Sequence, residues 1–354
     1  MSSLALVSGE PEGEPTSLDH YLRGLRPILD DPTVTDLCIN RPFEAFVLKD
    51  SGWQRVSLDF ASLEWGWHLT RLIATSTQQR ISAETPSLSA TLPSGERVAI
   101  LIPPATKAGT VSITIRRPST RVWSLAELAD KGLFRRTRRV GGPDGDRSAT
   151  SETQREEGER ELLALHRSGQ WEMFLRRAVH LKQNIIASGA TGSGKTTLTK
   201  ALILEIPEHE RVITIEDAQE LVLDRHPNAV RLFYSKDQQG LSKATPKQLL
   251  ESTLRMRPDR VLLAELRSDE AYEYLRNINS GHPGSITSLH ASSAELAFEQ
   301  LVLLTLESPG GGVLGPVYLK RLLLNLVDVI VQLGHDGAER GVKEIYYDPD
   351  AKRR

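Results

Sequence analysis

The chain has 354 residues, 44 Lys and Arg against 46 Asp and Glu, and a formal net charge of −2. Its 39% hydrophobic and 25% charged content supplies enough apolar material for two domain cores. That excludes a wholly disordered chain, and the near-neutral charge excludes a global basic field for nucleic acid. The one cysteine, Cys38, excludes an internal disulfide and a multi-cysteine metal site within one chain, and fits a reducing compartment.

In chain order, MSSLALVSGEPEGEP (1–15) reads as a flexible tail, with no basic segment or long apolar run to make a secretory leader. No stretch approaches ~18 consecutive apolar residues, so no membrane span is expected. From Leu18, LDHYLRGLRPIL predicts a short amphipathic helix that stops before Asp31-Pro32. VTDLCIN predicts a strand, and EAFVLKDSGWQRVSL predicts a hairpin turning at Lys49-Asp50-Ser51-Gly52. Residues 61–80 carry a helical pattern on Leu63, Trp67, Leu69, Leu72 and Ile73. SLSATL, RVAILI and VSITIR add three strands, so residues 16–134 read as a small N-terminal α+β domain on a mostly antiparallel sheet.

FRRTRRV then gives way to a Gly/Asp/Ser-rich and acidic run with almost no apolar residue from Gly141 to Glu159, so 135–160 reads as a flexible linker. Its basic cluster Arg135, Arg136, Arg138 and Arg139 fits either a solvated flank or a contact with acidic lipid. From residue 161 the texture becomes α/β. LLALHRSGQWEMFLRRAVHLK is helical, NIIASG a strand, and KTTLTKALILEI a helix ended by Pro207. RVITIE, RVLLAE and HPGSITSLH are strands, and LKRLLLNLVDVIVQL is a helix running into a strand. This alternation predicts a largely parallel sheet with helices on both faces through residue 354.

Gly189-Ala190-Thr191-Gly192-Ser193-Gly194-Lys195-Thr196 follows a strand and opens a helix, the context that a phosphate-binding GxxxxGK[ST] loop requires. Gly189, Gly192 and Gly194 let several N–H groups converge on one anion, alongside Thr191 and Ser193, and the helix start adds partial positive charge. Lys195 supplies a full charge for the β- and γ-phosphates of ATP. The Thr196 hydroxyl, beside Thr197, completes a Mg²⁺ shell of oxygen ligands.

Hydrolysis also needs acids. Two strands end in them, ITIEDAQEL at Glu216 and RVLLAE at Glu265, where open α/β sheets place their ligands. Glu265 follows a four-residue apolar strand core, the pattern of a Walker B strand with Glu in place of the commoner Asp. GHPGSITSLH then carries His290 out at a strand end, where an imidazole can sense a γ-phosphate.

GATGSGKTT (189–197), ITIEDAQEL (213–221), LRMRPDRVLLAELR (254–267) and SGHPGSITSLHA (280–291) occur in that order. Together they resemble the Walker A, Asp-box, Walker B and His-box segments of secretion-superfamily traffic ATPases, and within these the type IV secretion branch. Type II secretion relatives usually carry a tetracysteine zinc module, which one cysteine excludes; pilus-retraction motors lack it and stay an alternative.

The resemblance implies a RecA-like P-loop NTPase domain behind the N-terminal domain, ATP held between the two, and a homo-hexameric ring of two tiers. It implies ATP and Mg²⁺ as ligands, with Glu216 orienting water, Glu265 acting near metal and water, and His290 reading the γ-phosphate. VSITIRRPS is similar to the family's arginine-bearing strand, which implies that Arg116, with Arg117 as the alternative, neutralises developing charge. Arg255, Arg257 and Arg267 are weaker candidates whose alternative is surface pairing. The implied partners are other secretion-machine ATPases and inner-membrane components, with peripheral contact at the cytoplasmic face of the bacterial inner membrane.

The implied activity is an ATP-driven motor for pilus assembly or substrate transfer. A nucleotide-gated scaffold with slow hydrolysis is the alternative. A nucleic-acid translocase is disfavoured by the neutral charge and the lack of basic–aromatic interleaving. About 25 linker residues span roughly 25–30 Å on average, which leaves a swapped placement of N-terminal domains open.

Overall fold

The structure, a computed structural model, describes residues 16–49, 51–117, 121–142, 156–234, 244–268, 270–336 and 339–353. The described residues form two compact units that divide near residue 119. None of their helices is long and apolar enough to cross a membrane.

The N-terminal unit holds α1 (Ser17–Leu22), α2 (Arg26–Leu29), β1 (Val34–Arg41), β2 (Glu44–Lys49), β3 (Gly52–Ser57), α3 (Leu63–Ser76), β4 (Ser87–Thr91), β5 (Arg97–Leu101) and β6 (Ser112–Arg116). The strands form one antiparallel sheet in the order β3-β2-β1-β6-β5-β4. Period-two alternation turns Leu37, Ile39, Ala45, Val47, Val98, Ile100, Ile113 and Ile115 to one core with Leu22, Leu69 and Ile73 of the helices. Thr16 starts α1 with a capping box to Asp19, and Ser62 caps α3 by accepting from Trp65 N at 3.1 Å. The hairpin expected at Lys49–Gly52 closes with those two residues paired, while Asp50 is outside the described residues.

The C-terminal unit holds α4 (Leu125–Asp130), β7 (Arg138–Val140), α5 (Glu157–Ser168), α6 (Trp171–His180), β8 (Ile185–Ser188), α7 (Lys195–Leu204), β9 (Val212–Glu216), β10 (Ala229–Phe233), α8 (Pro246–Thr253), β11 (Arg260–Leu263), α9 (Glu270–Asn279), β12 (Ile286–Leu289), α10 (Ala294–Glu307), α11 (Pro316–Leu326), β13 (Val329–Asp336) and β14 (Glu339–Tyr347). One sheet has the order β10-β9-β11 and a second the order β12-β8-β13-β14-β7. Leu266 N donates to Ser288 O at 2.8 Å and Ser288 Oγ to Ala264 O at 2.9 Å, so β11 lies beside β12 where both strands end. β8 to β13 pair in parallel, and only β14 runs against its neighbour β13.

Side chains leave both faces of this layer. Ile185, Ala187 and Val331 join Phe174, Leu198 and Leu202 on one side; Ile186 and Ile330 join Tyr274, Phe298 and Leu319 on the other. Burial on both faces is why these strands read as apolar runs rather than alternating ones.

The packing differs from the expected boundary at 135–160. Leu125 and Leu128 of α4 lie in the core with Leu162 and Phe174. β7 pairs in parallel with β14, and Val342 N donates to Leu133 O at 2.9 Å. The described residues 121–142 therefore belong to the C-terminal unit, and the arginine-rich stretch is an edge strand. Three residues with one apolar side chain carry no readable period, which is why the sequence reads as linker there. The expected tail 1–15 and the linker stretch 143–155 lie outside the described residues.

His166 of α5 is sealed in this core. Its Nε2 donates to Ile345 O at 2.9 Å, and Trp171, Phe174 and Tyr347 pack around the ring at 5.5, 5.3 and 5.9 Å between centroids. Burial pushes its pKa from 6.5 down to about 4. Between those values the unfolded chain binds a proton that the folded chain does not. The neutral ring's contribution is therefore complete above pH 6.5 and is lost as pH falls toward 4. It amounts to about 3 kcal/mol. Denaturant midpoints at pH 7.5 and pH 5 should drop more for the parent than for His166→Phe; equal drops would remove His166 from the acid response.

Candidate active site

The phosphate loop is built where β8 ends. Gly189 has φ +153°, and a Cβ there would lie 2.6 Å from both Leu333 O and Ser193 Oγ, so only glycine lets the loop pass this close to β13. Gly194 stands at the N-cap of α7 with φ +99°, turning the chain into the helix at once. Lys195 opens α7 and is buried, with Nζ 2.7 Å from Gly189 O, 3.1 Å from Ala190 O and 3.2 Å from His290 Nδ1. Burial pushes its ammonium pKa down, against the opposite pull of Glu265. Thr191, Gly192 and Thr196 are exposed at the mouth of the loop, Gly194 and Thr197 half-buried, and Ser193 buried beneath it.

The expected acids divide into two kinds. Glu265, just past β11, is mostly buried, with Oε1 2.7 Å from His290 Nε2 and Oε2 accepting from Arg267 Nε at 2.6 Å. Arg267 Nη1 donates to Asp217 Oδ2 at 2.7 Å, which ties the end of β11 to the end of β9. Asp217 and Glu265 hold the guanidinium pKa above its ordinary value despite burial, which acts the other way. Lysine has only protons to give, so His290 Nδ1 accepts from Lys195; Nε2 then carries the ring proton and donates to Glu265. The result is a continuous chain of contacts: Lys195, His290, Glu265, Arg267, Asp217.

Glu216 differs from its expected role. It is fully buried, and both carboxylate oxygens are engaged. Oε1 accepts from Thr214 Oγ1 at 2.7 Å and Arg231 Nε at 3.1 Å. Oε2 accepts from Glu220 N and Leu221 N at 2.8 Å each and from Arg231 Nη2 at 3.2 Å. Such a carboxylate anchors the loop that follows β9 and has no lone pair turned to water. The loop it holds brings Glu220 into the electrostatic surroundings of Lys195. Glu220 stands in the same ITIEDAQEL box as Glu216 and Asp217, and its place in that box is the signal the sequence offers for it.

Arg116 ends β6 in the N-terminal unit, half exposed, with Nε 2.8 Å from Asp36 Oδ1. Arg117 donates from Nη1 to Asp31 O at 2.9 Å and is tied to main chain. Arg255 and Arg257 precede β11, at the other end of the strand from Glu265, and are exposed. Of the three weaker arginines only Arg267 reaches the acids.

The Thr196 hydroxyl and the Glu265 carboxylate are hard oxygen donors of the kind that suits Mg²⁺. Among the described residues no group of three or more His, Cys, Asp and Glu could hold a metal. The remaining ligands would have to be water and phosphate oxygens, as Mg²⁺ prefers.

The profile of the type II/IV secretion system protein family matches residues 155–333. The chain is 46% identical over 335 residues to the type IV secretion system protein VirB11 of Bartonella quintana, covering 94% of each. It is 38% identical to the type IV secretion system protein PtlH of Bordetella pertussis, covering 94% of this chain and 95% of that one. Among solved structures it is similar to the VirB11 ATPase of the Brucella suis type IV secretion system in complex with sulphate, with 44% identity, a TM-score of 0.53 and coverage of 96% of this chain and 99% of that one. The pilus retraction motor PilT with bound ADP matches at 17% identity with a TM-score of 0.59 over 96% of this chain and 87% of that one, a likeness of fold alone. The four boxes, the phosphate loop first among them, and these likenesses over nearly the whole chain lead to one conclusion: the chain belongs to the type II/IV secretion system protein family, among the VirB11 proteins of type IV secretion systems.

Proposed function

We propose that the chain is the ATP-hydrolysing, hexameric motor of a type IV secretion or conjugation machine, powering pilus assembly or substrate transfer. The supporting observation is the contact chain from Lys195 through His290 and Glu265 to Arg267 and Asp217, which joins the phosphate loop to the ends of three other elements. In this reading main-chain N–H groups of residues 189–195 and the Lys195 ammonium hold the triphosphate. Water oxygen attacks the terminal phosphorus, the bond to the bridging oxygen of the diphosphate breaks, and ADP and phosphate leave.

Glu265 orients that water with His290, and Glu220 supplies further negative charge nearby. Glu216 acts as the anchor of the Asp217–Leu221 loop. Bound at Thr196 and, through water, at Glu265, Mg²⁺ would screen charge on the phosphates. Arg116 is assigned the neutralisation of charge on the transferred phosphoryl group, a task that suits a guanidinium fork. The finer domain arrangement, a RecA-like domain preceded by the α+β unit, belongs to the same proposal. So do the homo-hexamer, the other secretion-machine ATPases and inner-membrane components as partners, and a location at the cytoplasmic face of the inner membrane.

Phosphate release by the purified full chain tests this. Many turnovers per site are expected with ATP and Mg²⁺, more per chain as concentration drives assembly, and none once EDTA removes the ion. A burst of one phosphate per site and no more would favour the nucleotide-gated scaffold instead.

A further inference from the structure

Gln332 is a carboxamide in an apolar strand. Val329, Ile330, Val331 and Leu333 of β13 are buried in the cores on either side of the sheet, and Gln332 is only 4% exposed among them. It pairs with Ser188, the last residue of β8 before the phosphate loop, and with Glu344 of β14. Its Nε2 donates to Ala291 O at 3.0 Å and to Leu333 O at 3.1 Å. Carbonyl oxygens only accept, so the nitrogen end of the amide is the one that faces them. Leu333 O is the atom that lies against Gly189, and Ala291 directly follows His290. One amide thus ties the wall of the phosphate loop to the chain that carries the imidazole.

The chain is held on both sides of His290. Leu289 O accepts from Gly189 N at 3.3 Å, and Ala291 O accepts from Gln332. Three residues further on, Glu344 Oε2 accepts from Ala294 N at 2.8 Å, where α10 begins. The His290 ring is about half exposed, so its place depends on this main chain and on its two polar contacts rather than on packing. We propose that Gln332 is a positioning residue for ATP cleavage: its amide keeps His290 in register with the phosphate loop, so that the ring stays between Lys195 and Glu265. A displacement of about 1 Å in such a group costs up to about 10²-fold in rate. The inference deepens the motor reading and rests on it, with His290 as the group through which Gln332 acts.

Steady-state kinetics of the full chain with ATP and Mg²⁺ test it. Gln332→Met nearly keeps the volume and removes both donors. Its kcat should fall about 10–100-fold, with KM for ATP within about twofold of the parent and the denaturant midpoint little moved. Gln332→Asn keeps an amide one methylene short of its partners and should fail in the same way. His290→Ala, made alone and together with Gln332→Met, completes a double-mutant cycle. In the His290→Ala background the second change should cost less than about twofold, because the group it acts through is gone. Hydrogen exchange at residues 290–294 should quicken at least about tenfold in Gln332→Met, while α7 keeps the protection of the parent. Costs that multiply in the double variant, a parent rate in both Gln332 variants, or loss of folded protein in both would overturn the inference and leave the motor reading standing. Absence of turnover in the parent would overturn both.

Discussion

Lys195→Ala is expected to lower ATP turnover at least about 10³-fold while leaving the far-ultraviolet circular dichroism spectrum unchanged. The ammonium is one of the few full positive charges that the phosphate loop can offer a triphosphate, and α7 needs no side chain from Lys195 for its packing on Leu198 and Leu202. The same change removes the donor facing His290 Nδ1 and frees Gly189 O and Ala190 O. Glu265→Gln keeps the shape but removes the charge that Arg267 and His290 both meet, and should cost about 10²-fold or more in kcat with nucleotide affinity little altered. Arg116→Ala should follow the Glu265 pattern if it serves the phosphoryl group in flight. An unaltered rate in Lys195→Ala would remove the nucleotide site, whereas an unaltered rate in Glu265→Gln alone would remove only the catalytic assignment.

The second large effect is on stability. Arg260 opens β11 with a side chain that is fully buried, donating from Nε to Glu210 Oε2 at 2.6 Å and from Nη2 to Val179 O at 2.9 Å. Its Nη1 reaches Gly284 O at 3.3 Å, in the loop that leads to β12 and His290. Arg260→Leu strands the Glu210 carboxylate and two main-chain acceptors in the core, so about 3–5 kcal/mol of stability should be lost, read from the denaturant midpoint. Adding Glu210→Met removes the stranded charge and should restore a large part of it. A loss below about 1 kcal/mol in the single variant would show that Glu210 finds water or Lys182 instead; Lys182 Nζ stands 3.7 Å away.

Much of the molecule is legible without coordinates where local pattern and packing agree. The hairpin at Lys49–Gly52, the helix over Leu63–Ser76 and the strand, loop and helix around Gly189–Lys195 declare themselves by period and turn chemistry. The strands at 229–233 and 339–347 carry no clear period in the sequence. The first is half-buried up to an exposed Phe233, and the second runs antiparallel to β13, next to the edge strand β7, with charges interspersed. Asn184 is a quieter case. Its Oδ1 accepts from Gly284 N and Ser285 N at 3.0 and 3.1 Å, and its Nδ2 donates to Leu326 O at 2.8 Å. One side chain thus joins the starts of β8, β12 and β13, and nothing in its neighbours along the chain announces it.

The order of residues alone shows a glycine-rich loop of phosphate-binding pattern between a strand and a helix, Glu265 and His290 just past strand ends, and four boxes that mark the family. These follow from backbone preferences a few residues long. Which acid is sealed and which faces the phosphate loop was decided by the fold, because partner choice acts through space. Arg231, on a neighbouring strand, closes over Glu216, while Arg267 spans from Glu265 to Asp217, fifty positions away along the chain.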